Sequence, residues 1–308
     1  MSSDLSGRRS FLRAAAGITA TAAVATGGTV PAMPAIKFGP AEISRLIIGS
    51  NPFYGYSHFD PLLSNFMREY MTQDRRIETL RRCEQAGIRT WQVHYQKQTI
   101  EDLQRYRAEG GKMNFFLLGD FEMMTDLSLI AKTAREYKPI GIAHHGNRTD
   151  DRFAAHEMGK VRDFCKRVRD TGVMVGVSGH NPAVFDLIES EGWDVDYYQT
   201  CLYRVSRTRE EARREFGEAP LDSGGMFMEG DPARMCRFVK QTTKPCLAFK
   251  LLGAGRNTES RAQIENAFRF AFENIKATDA AIVGMCPKFK DEIAENVALT
   301  MKYGGARS

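Results

Sequence analysis

The sequence lacks the patterns that mark several classes of protein. It has six cysteines but no C-x-x-C spacing, which excludes the usual zinc-ribbon and thioredoxin-type motifs. It has no hydrophobic run long enough to span a bilayer, and its formal charge of +5 is dispersed along the chain. Without its basic start the chain carries about +3. We therefore expect no transmembrane segment in the mature chain and no nucleic-acid partner.

The cysteines lie within apolar or helical patterns, which indicates buried thiols. A disulfide is the alternative in an oxidising compartment, although six scattered cysteines do not define a pairing. The six are Cys83, Cys165, Cys201, Cys236, Cys246 and Cys286.

Acidic residues are also missing from the start of the chain, between Asp4 and Glu42. In this stretch Arg8 and Arg9 precede a short uncharged run, rich in alanine and threonine, that ends in an A-x-A cleavage pattern. The arrangement predicts a twin-arginine signal peptide over residues 1–25, recognised by the twin-arginine export machinery. It places the mature protein in the periplasm or outside the cell. An ordinary amphipathic start or a membrane anchor is the alternative.

The remainder has the size of one enzyme domain, since about 283 residues suit a single eight-stranded α/β barrel. Residues 26–40 are rich in glycine and proline, which predicts a linker or an N-terminal arm. The barrel is then expected over residues 41–308.

Short apolar runs that end in small or polar residues alternate with helical patterns along this domain. Such runs are typical of strands buried on both faces, and the alternation predicts a parallel α/β fold, a (β/α)8 TIM barrel, with its chemistry at the strand C-termini. The predicted strands span residues 44–50, 88–95, 114–120, 140–147, 173–181, 196–203, 245–253 and 280–286.

Three segments between the strands carry further predictions. Residues 151–171 are long and strongly charged, which predicts one helix with a solvated face. Residues 204–228 exceed the usual connection length and predict a lid insertion. The loop at residues 51–60 contains Tyr56 and His58, and its aromatic rings suit either a sugar ring or the packing of a lid.

Four of these segments resemble the second half of the aldo-keto reductases. GVSGHNPAVFDLI resembles the fifth strand and helix of that family, DYYQTCLY the sixth strand, LAFKLLGAGR the seventh, and VGMCPKFKDEIAENVAL the eighth strand with its helix. The resemblance covers roughly residues 41–303. It implies the (β/α)8 barrel and, in ordinary members, reduction of a carbonyl by NADPH, which is oxidised to NADP.

The first half departs from the family at its catalytic residues. An aldo-keto reductase protonates a carbonyl through a tyrosine supported by a lysine, an aspartate and a histidine. The alignment places Gln92 at the aspartate, Lys97 at the tyrosine, and the lysine position near Gly119. Only the histidine has a counterpart, His145. The usual proton donor is therefore missing, and Tyr95 would have to replace it from another position.

The resemblance also implies a set of cofactor contacts, relevant only if NADP is bound. These are Ser178, Gln199, Gly253, Gly255, Glu295 and Asn296. His180 replaces the usual asparagine on the fifth strand, where an imidazole would crowd a nicotinamide. Export is a second objection, because freely exchanging NADPH is not available outside the cytoplasm.

Where the sequence differs from the aldo-keto reductases, it has additional histidines near the strand ends. His94, His145 and His180 follow three different strands and Asp120 follows a fourth, so the four side chains are expected to converge at the strand ends. Three histidines and a carboxylate suit a divalent metal such as zinc or manganese. Acid-base histidines without metal, and plain packing, are the alternatives. Lys250 would serve as an electrostatic stabiliser.

Three functions are consistent with the sequence. The favoured one is an exported, non-redox lyase, isomerase or hydrolase acting on a small carbohydrate-like substrate. It assigns His145 and His94 as acid and base or as ligands, His180 as a further ligand, and Asp120 as orienter or base. The alternatives are an NADP-dependent reductase and a barrel that binds a ligand without turnover.

Overall fold

The structure is a computed structural model that describes residues 32–220 and 225–305. The predicted signal peptide, residues 1–25, and residues 221–224 of the predicted lid lie outside the described residues.

The described chain begins with a β-hairpin that the sequence analysis assigned in part to a linker or arm. Strand β1 (Ala35–Phe38) pairs antiparallel with β2 (Ala41–Ser44) through a two-residue Gly-Pro turn. Gly39 has a φ of 53°, the left-handed region that a tight hairpin turn requires and that glycine adopts without strain.

Eight parallel strands then close into a barrel, which confirms the predicted TIM fold. Each strand pairs with its neighbour in chain order, and the last closes the ring by pairing with the first, Ile282 opposite Ile47. The strands are β3 (Leu46–Gly49), β4 (Thr90–His94), β5 (Asn114–Gly119), β6 (Gly141–His144), β7 (Met174–Gly179), β8 (Tyr197–Cys201), β9 (Cys246–Phe249) and β10 (Ala280–Gly284).

Two apolar cores hold this architecture together. The larger lies between the strands and the surrounding helices. The smaller joins side chains from six barrel strands, which can meet only in the lumen, and the hairpin packs against it through Phe38. The ring of Phe38 lies 5.2 Å from that of Phe116 and 5.6 Å from that of Tyr197, both edge to face. The hairpin therefore closes the N-terminal end of the barrel.

The helices follow the strands around the barrel. They are α1 (Pro61–Tyr70), α2 (Gln73–Gln85), α3 (Lys97–Ala108), α4 (Phe121–Thr125), α5 (Ser128–Tyr137), α6 (Gly146–Ala154), α7 (Met158–Arg169), α8 (Pro182–Ser190), α9 (Arg209–Phe216), α10 (Asp231–Gln241), α11 (Arg261–Asn274) and α12 (Glu292–Tyr303). Among the described residues, none of these helices is both long and apolar enough to cross a membrane.

The prediction of a single helix over residues 151–171 was wrong, because the helical conformation is interrupted between α6 and α7. His156 adopts a φ of 57°, and its amide and that of Glu157 donate to the carbonyls of Phe153 and Arg152. This is a Schellman ending, which usually takes glycine at the left-handed position. Because the position holds a histidine, the sequence does not indicate that a helix ends there. The first of the two helices, α6, starts at residue 146, shortly after β6.

The cysteines are free thiols, as predicted. Five are buried, and Cys286 is half-buried.

Candidate active site at the C-terminal end of the barrel

A cavity of about 950 Å³ opens where the eight strands end. It brings together nearly all the residues that the sequence analysis selected. Its lining includes His94, Asp120, His145, Ser178, His180, Gln199, Lys250, Gly255, Glu295 and Asn296. Gly253 is buried in the turn after β9 and does not line the cavity.

His180 is held in one orientation by a buried carboxylate. Its Nδ1 lies 2.8 Å from an oxygen of Asp150 on α6, and the backbone amides of His180 and Asn181 donate to the same carboxylate. Both side chains are 5 % exposed. Burial lowers the pKa of His180, while Asp150 opposes that shift. The pair leaves the other ring nitrogen for the cavity, the arrangement of an oriented base.

His145 follows β6 directly and lines the cavity. Its Nδ1 is buried and has no hydrogen-bond partner among the described residues. Burial lowers the pKa of His145 to about 4, and the nearby carboxylate of Asp120 opposes this shift. Asp120 caps α4 by accepting the amide of Phe121 at 2.8 Å. His145 is therefore a neutral imidazole near pH 7 that can accept or pass on a proton.

The preceding residue, His144, points out of the barrel. Its Nδ1 lies 2.7 Å from the hydroxyl of Thr149, and its ring packs edge to face on Phe164.

His94 is the second imidazole with an unpartnered nitrogen, since its buried Nε2 has no partner among the described residues. Its ring packs edge to face against Tyr54 and Tyr56, at 5.5 Å and 5.3 Å. Tyr54 is fixed in turn by a hydrogen bond of 2.8 Å to the buried carboxylate of Asp102. Burial lowers the pKa of His94, so this imidazole is also neutral.

A fourth histidine, His58, was missed as a site residue. The sequence analysis noted its loop only for its aromatic residues, yet His58 lines the cavity and Asn51 Nδ2 lies 3.1 Å from its Nε2. Burial, followed by repulsion from Lys250, His180 and other cations, lowers the pKa of His58 to about 3. The loop reaches the site because Arg256 donates to the carbonyl of His58 at 3.1 Å.

Lys250, the residue that follows β9, has an unusual backbone conformation. Its φ is 61°, a strained value for a residue other than glycine. The ammonium lies 5.5 Å from the ring centre of Phe249, and it has no hydrogen bond or ion pair with any other described residue. Burial lowers the pKa of Lys250.

The metal site predicted from three histidines is not present in this geometry. Within residues 32–220 and 225–305, no group of three or more His, Cys, Asp or Glu side chains is arranged to hold a metal ion. His94, His145 and His180 line one cavity from separate strands, and Asp150 takes one nitrogen of His180. The three histidines thus lie around a common cavity, and their role as metal ligands stays a prediction.

The residues at the family's other catalytic positions do not restore its chemistry. Gln92 lines the cavity and donates to the carbonyl of Val93 at 3.1 Å. Lys97 lies on α3, with its side chain 90 % exposed, and faces Glu101. Tyr95 is half-buried and is not part of the cavity lining.

All the predicted cofactor contacts except Gly253 line the cavity. Gln199 has a buried amide nitrogen without a described partner, and Asn296 is buried at the start of α12. The carboxylate of Glu295 is paired with Lys290 at 2.6 Å. Gly255 has a φ of 97° in a tight turn after β9. The backbone of this turn is thus available to a ligand, but no phosphate contact is implied by its shape alone.

The insertion predicted as a lid lies at the cavity rim, where Val205, Ser206 and Gly225 contribute to the lining. The buried guanidinium of Arg207 donates to Asp231, at the start of α10, at 2.9 Å. Arg207 therefore anchors the insertion.

No protein-family model matches the chain, and no curated protein matches it significantly. Solved structures do. Aldo-keto reductase AKR11C1 from Bacillus halodurans matches at 10 % identity, over 87 % of this chain and 91 % of that one, with a TM-score of 0.55. A Gox0644 variant in complex with NADPH matches at 13 % identity, over 87 % and 88 % of the two chains, with a TM-score of 0.52.

A truncated 3-deoxy-D-arabino-heptulosonate 7-phosphate synthase from Thermotoga maritima matches equally well. Its identity is 14 %, the coverage is 89 % of this chain and 92 % of that one, and the TM-score is 0.51. Enzymes of different reaction classes therefore match to a similar degree. At these identities the comparisons show the fold alone, a (β/α)8 barrel of the kind that aldo-keto reductases have.

Proposed function

We propose that the protein is an exported enzyme that carries out acid-base chemistry on a small polyhydroxylated substrate, such as a sugar derivative, without a redox step. One observation carries the proposal. The Asp150-oriented imidazole of His180 shares a cavity with two histidines, His94 and His145, that each keep a buried nitrogen unpartnered. Both nitrogens are closed off from solvent in this structure. Because buried polar atoms without partners are costly, we expect the two rings to turn towards a bound polar ligand that satisfies them.

The lowered pKa values define what these histidines can do. Because His145 and His180 are neutral near pH 7, either can take a proton from a carbon or hydroxyl of the substrate. The imidazolium formed in this way would return the proton to a neighbouring carbon or oxygen of the substrate, giving an isomerase, or to a departing hydroxyl that leaves as water, giving a lyase. Lys250 would stabilise the negative charge that develops on a substrate oxygen.

The proposal is tested by turnover. Purified mature protein is incubated with a panel of aldoses, ketoses and sugar acids, and proton exchange or product formation is followed by NMR in D2O. His145→Asn and His180→Asn should each reduce turnover by about 10² to 10⁴-fold while the circular dichroism spectrum and melting temperature stay close to wild type. His156→Asn is the matched control, since that histidine is exposed between α6 and α7. Wild-type activity in both cavity variants would refute the proposal.

An NADP-dependent oxidoreductase is the second candidate, and the size of the cavity favours it. The cavity of about 950 Å³ runs from the histidines to Glu295 and Asn296, which is more room than one sugar needs. NADPH binding followed by cofactor fluorescence separates the two functions. Saturation at micromolar cofactor, lost in Asn296→Ala, would favour the reductase. No binding at millimolar cofactor would leave the non-redox enzyme.

A further inference from the structure

One side of the cavity is formed by β7, β9 and the loop after β3. His58, His180 and Lys250 line it, and burial, followed by repulsion from Lys250 and His180, lowers the pKa of His58. The two imidazoles are neutral near pH 7, so the charge on this side is that of the Lys250 ammonium. Asp150 is the carboxylate next to this group, and the ring and backbone of His180 engage it. Asp120 lies towards His94 and His145, whose pKa values it raises.

Lys250 is the centre of this region. A buried ammonium loses hydration, and the loss is normally offset by an ion pair or by several hydrogen bonds. The other half-buried or buried cations have such partners: Arg207 pairs with Asp231, and Lys276 pairs with Asp279 at 3.2 Å. Lys250 has none among the described residues, and its pKa falls as a result.

The backbone of Lys250 adds an independent observation. A left-handed φ of 61° at a lysine stores strain that glycine would avoid, and strain of this kind concentrates where a side chain must be aimed. Since Lys250 lines the cavity and immediately precedes its Gly-rich turn, the conformation directs a desolvated charge at the ligand.

Building on the function proposed above, we infer that Lys250 forms an anion-binding position and that the substrate is a sugar acid, with a carboxylate, rather than a neutral sugar. The carboxylate would pair with the Lys250 ammonium, and His58 and His180 would lie beside it. On this inference, the lysine that follows β9 is there to pair with the carboxylate of the substrate, and not for catalysis alone. The phosphate of a dinucleotide has the same charge and is the alternative source of the anion.

The test uses ligand pairs that differ only in charge. Binding of D-glucuronate against D-glucose, and of D-gluconate against sorbitol, is measured by calorimetry with the mature protein. The carboxylates should bind at least about tenfold more tightly than their neutral partners. Lys250→Met should abolish this difference, and Lys250→Arg should retain part of it. Lys138→Met is the matched control, because Lys138 is an exposed lysine with a similar φ of 51° away from the cavity.

Every outcome bears on the inference. Equal binding of charged and neutral ligands, or an unchanged preference in Lys250→Met, would overturn it. So would a lack of carboxylate binding up to about 10 mM. If NADP and inorganic pyrophosphate bind through Lys250 and the sugar acids do not, the anion belongs to a cofactor. Turnover of a neutral sugar that depends on His145 and His180 would leave the proposed acid-base function standing while this inference fails.

Discussion

The two ends of the barrel lumen are built by the same strands and differ in almost every other respect. At the N-terminal end Phe38 of the β1–β2 hairpin packs edge to face on Phe116 and on Tyr197. At the C-terminal end the same ring of strands presents imidazoles with unpartnered nitrogens and an ammonium without a described partner. The first end is filled by apolar and aromatic side chains that pack on each other, and the second lines a cavity with polar side chains. Stability and chemistry are therefore separated along the barrel axis.

The largest expected effect on stability comes from a substitution at the N-terminal end of the lumen. Phe38→Ala removes a fully buried ring from the aromatic cluster and should lower the free energy of unfolding by about 3 to 5 kcal/mol. Urea unfolding followed by tryptophan fluorescence measures this loss. Binding of ligand at the far end should change little in the molecules that remain folded.

Lys37→Ala is the control, because the neighbouring side chain on β1 is exposed and should cost less than about 0.5 kcal/mol. A Phe38→Ala variant as stable as this control would show that the hairpin does not close the lumen. A variant that loses ligand binding while folded would show that the two ends are coupled.

The strands of both ends could be predicted from sequence, because burial on both faces is a local property. Runs such as residues 114–120 contain their own signal, and β5 occupies Asn114–Gly119. The hairpin also had a signal, since Gly39-Pro40 is a two-residue turn between alternating apolar residues, but the surrounding Gly-Pro composition favoured a linker.

The site was predictable only where a residue ends a strand. His94, His145, His180 and Lys250 follow directly from strand ends, whereas Asp150 depends on where α6 starts. The sequence analysis began that helix at residue 151, so Asp150 fell in a loop. His58 is set by contacts between distant loops, among them the hydrogen bond from Arg256, which a single sequence does not reveal. The metal site stays a prediction, since strand order brings the three histidines to one end of the barrel but does not set the distances between them.

The second prediction concerns the C-terminal end of the barrel, where a substitution should reduce turnover more than stability. Asp150→Asn removes the carboxylate that orients His180, and turnover should fall about 10- to 100-fold. Because Asp150 raises the pKa of His180 against the effect of burial, its loss should lower that pKa further. The acid limb of the kcat/KM profile should then move to lower pH.

A purely structural role for Asp150 would reduce the amount of folded enzyme and leave the pH profile unmoved. Asp163→Asn on α7 is the control, since this carboxylate is 67 % exposed and faces Lys166. An Asp150→Asn enzyme with full activity and an unchanged profile would contradict the assignment of Asp150 as a positioning residue.

The smallest expected effect concerns the inner and outer sides of the barrel wall rather than its two ends. His144 and His145 are adjacent, but His144 is buried against α6 and α7, where burial lowers its pKa to about 3. An unfolded histidine has a pKa of about 6.5. The folded state therefore binds the proton less well than the unfolded state, and the contribution of His144 to stability is complete above pH 6.5 and is lost as the pH falls.

Between pH 6.5 and 5.5 this single group should lower the free energy of unfolding by about 1 kcal/mol. His144→Asn keeps a polar atom near Thr149 but cannot be protonated, so the variant should lose that part of the pH dependence. Urea unfolding at the two pH values measures the difference between wild type and variant. An unchanged slope would mean that His144 is protonated in the folded state, and that the outer face of β6 is less dry than its packing against Phe164 implies.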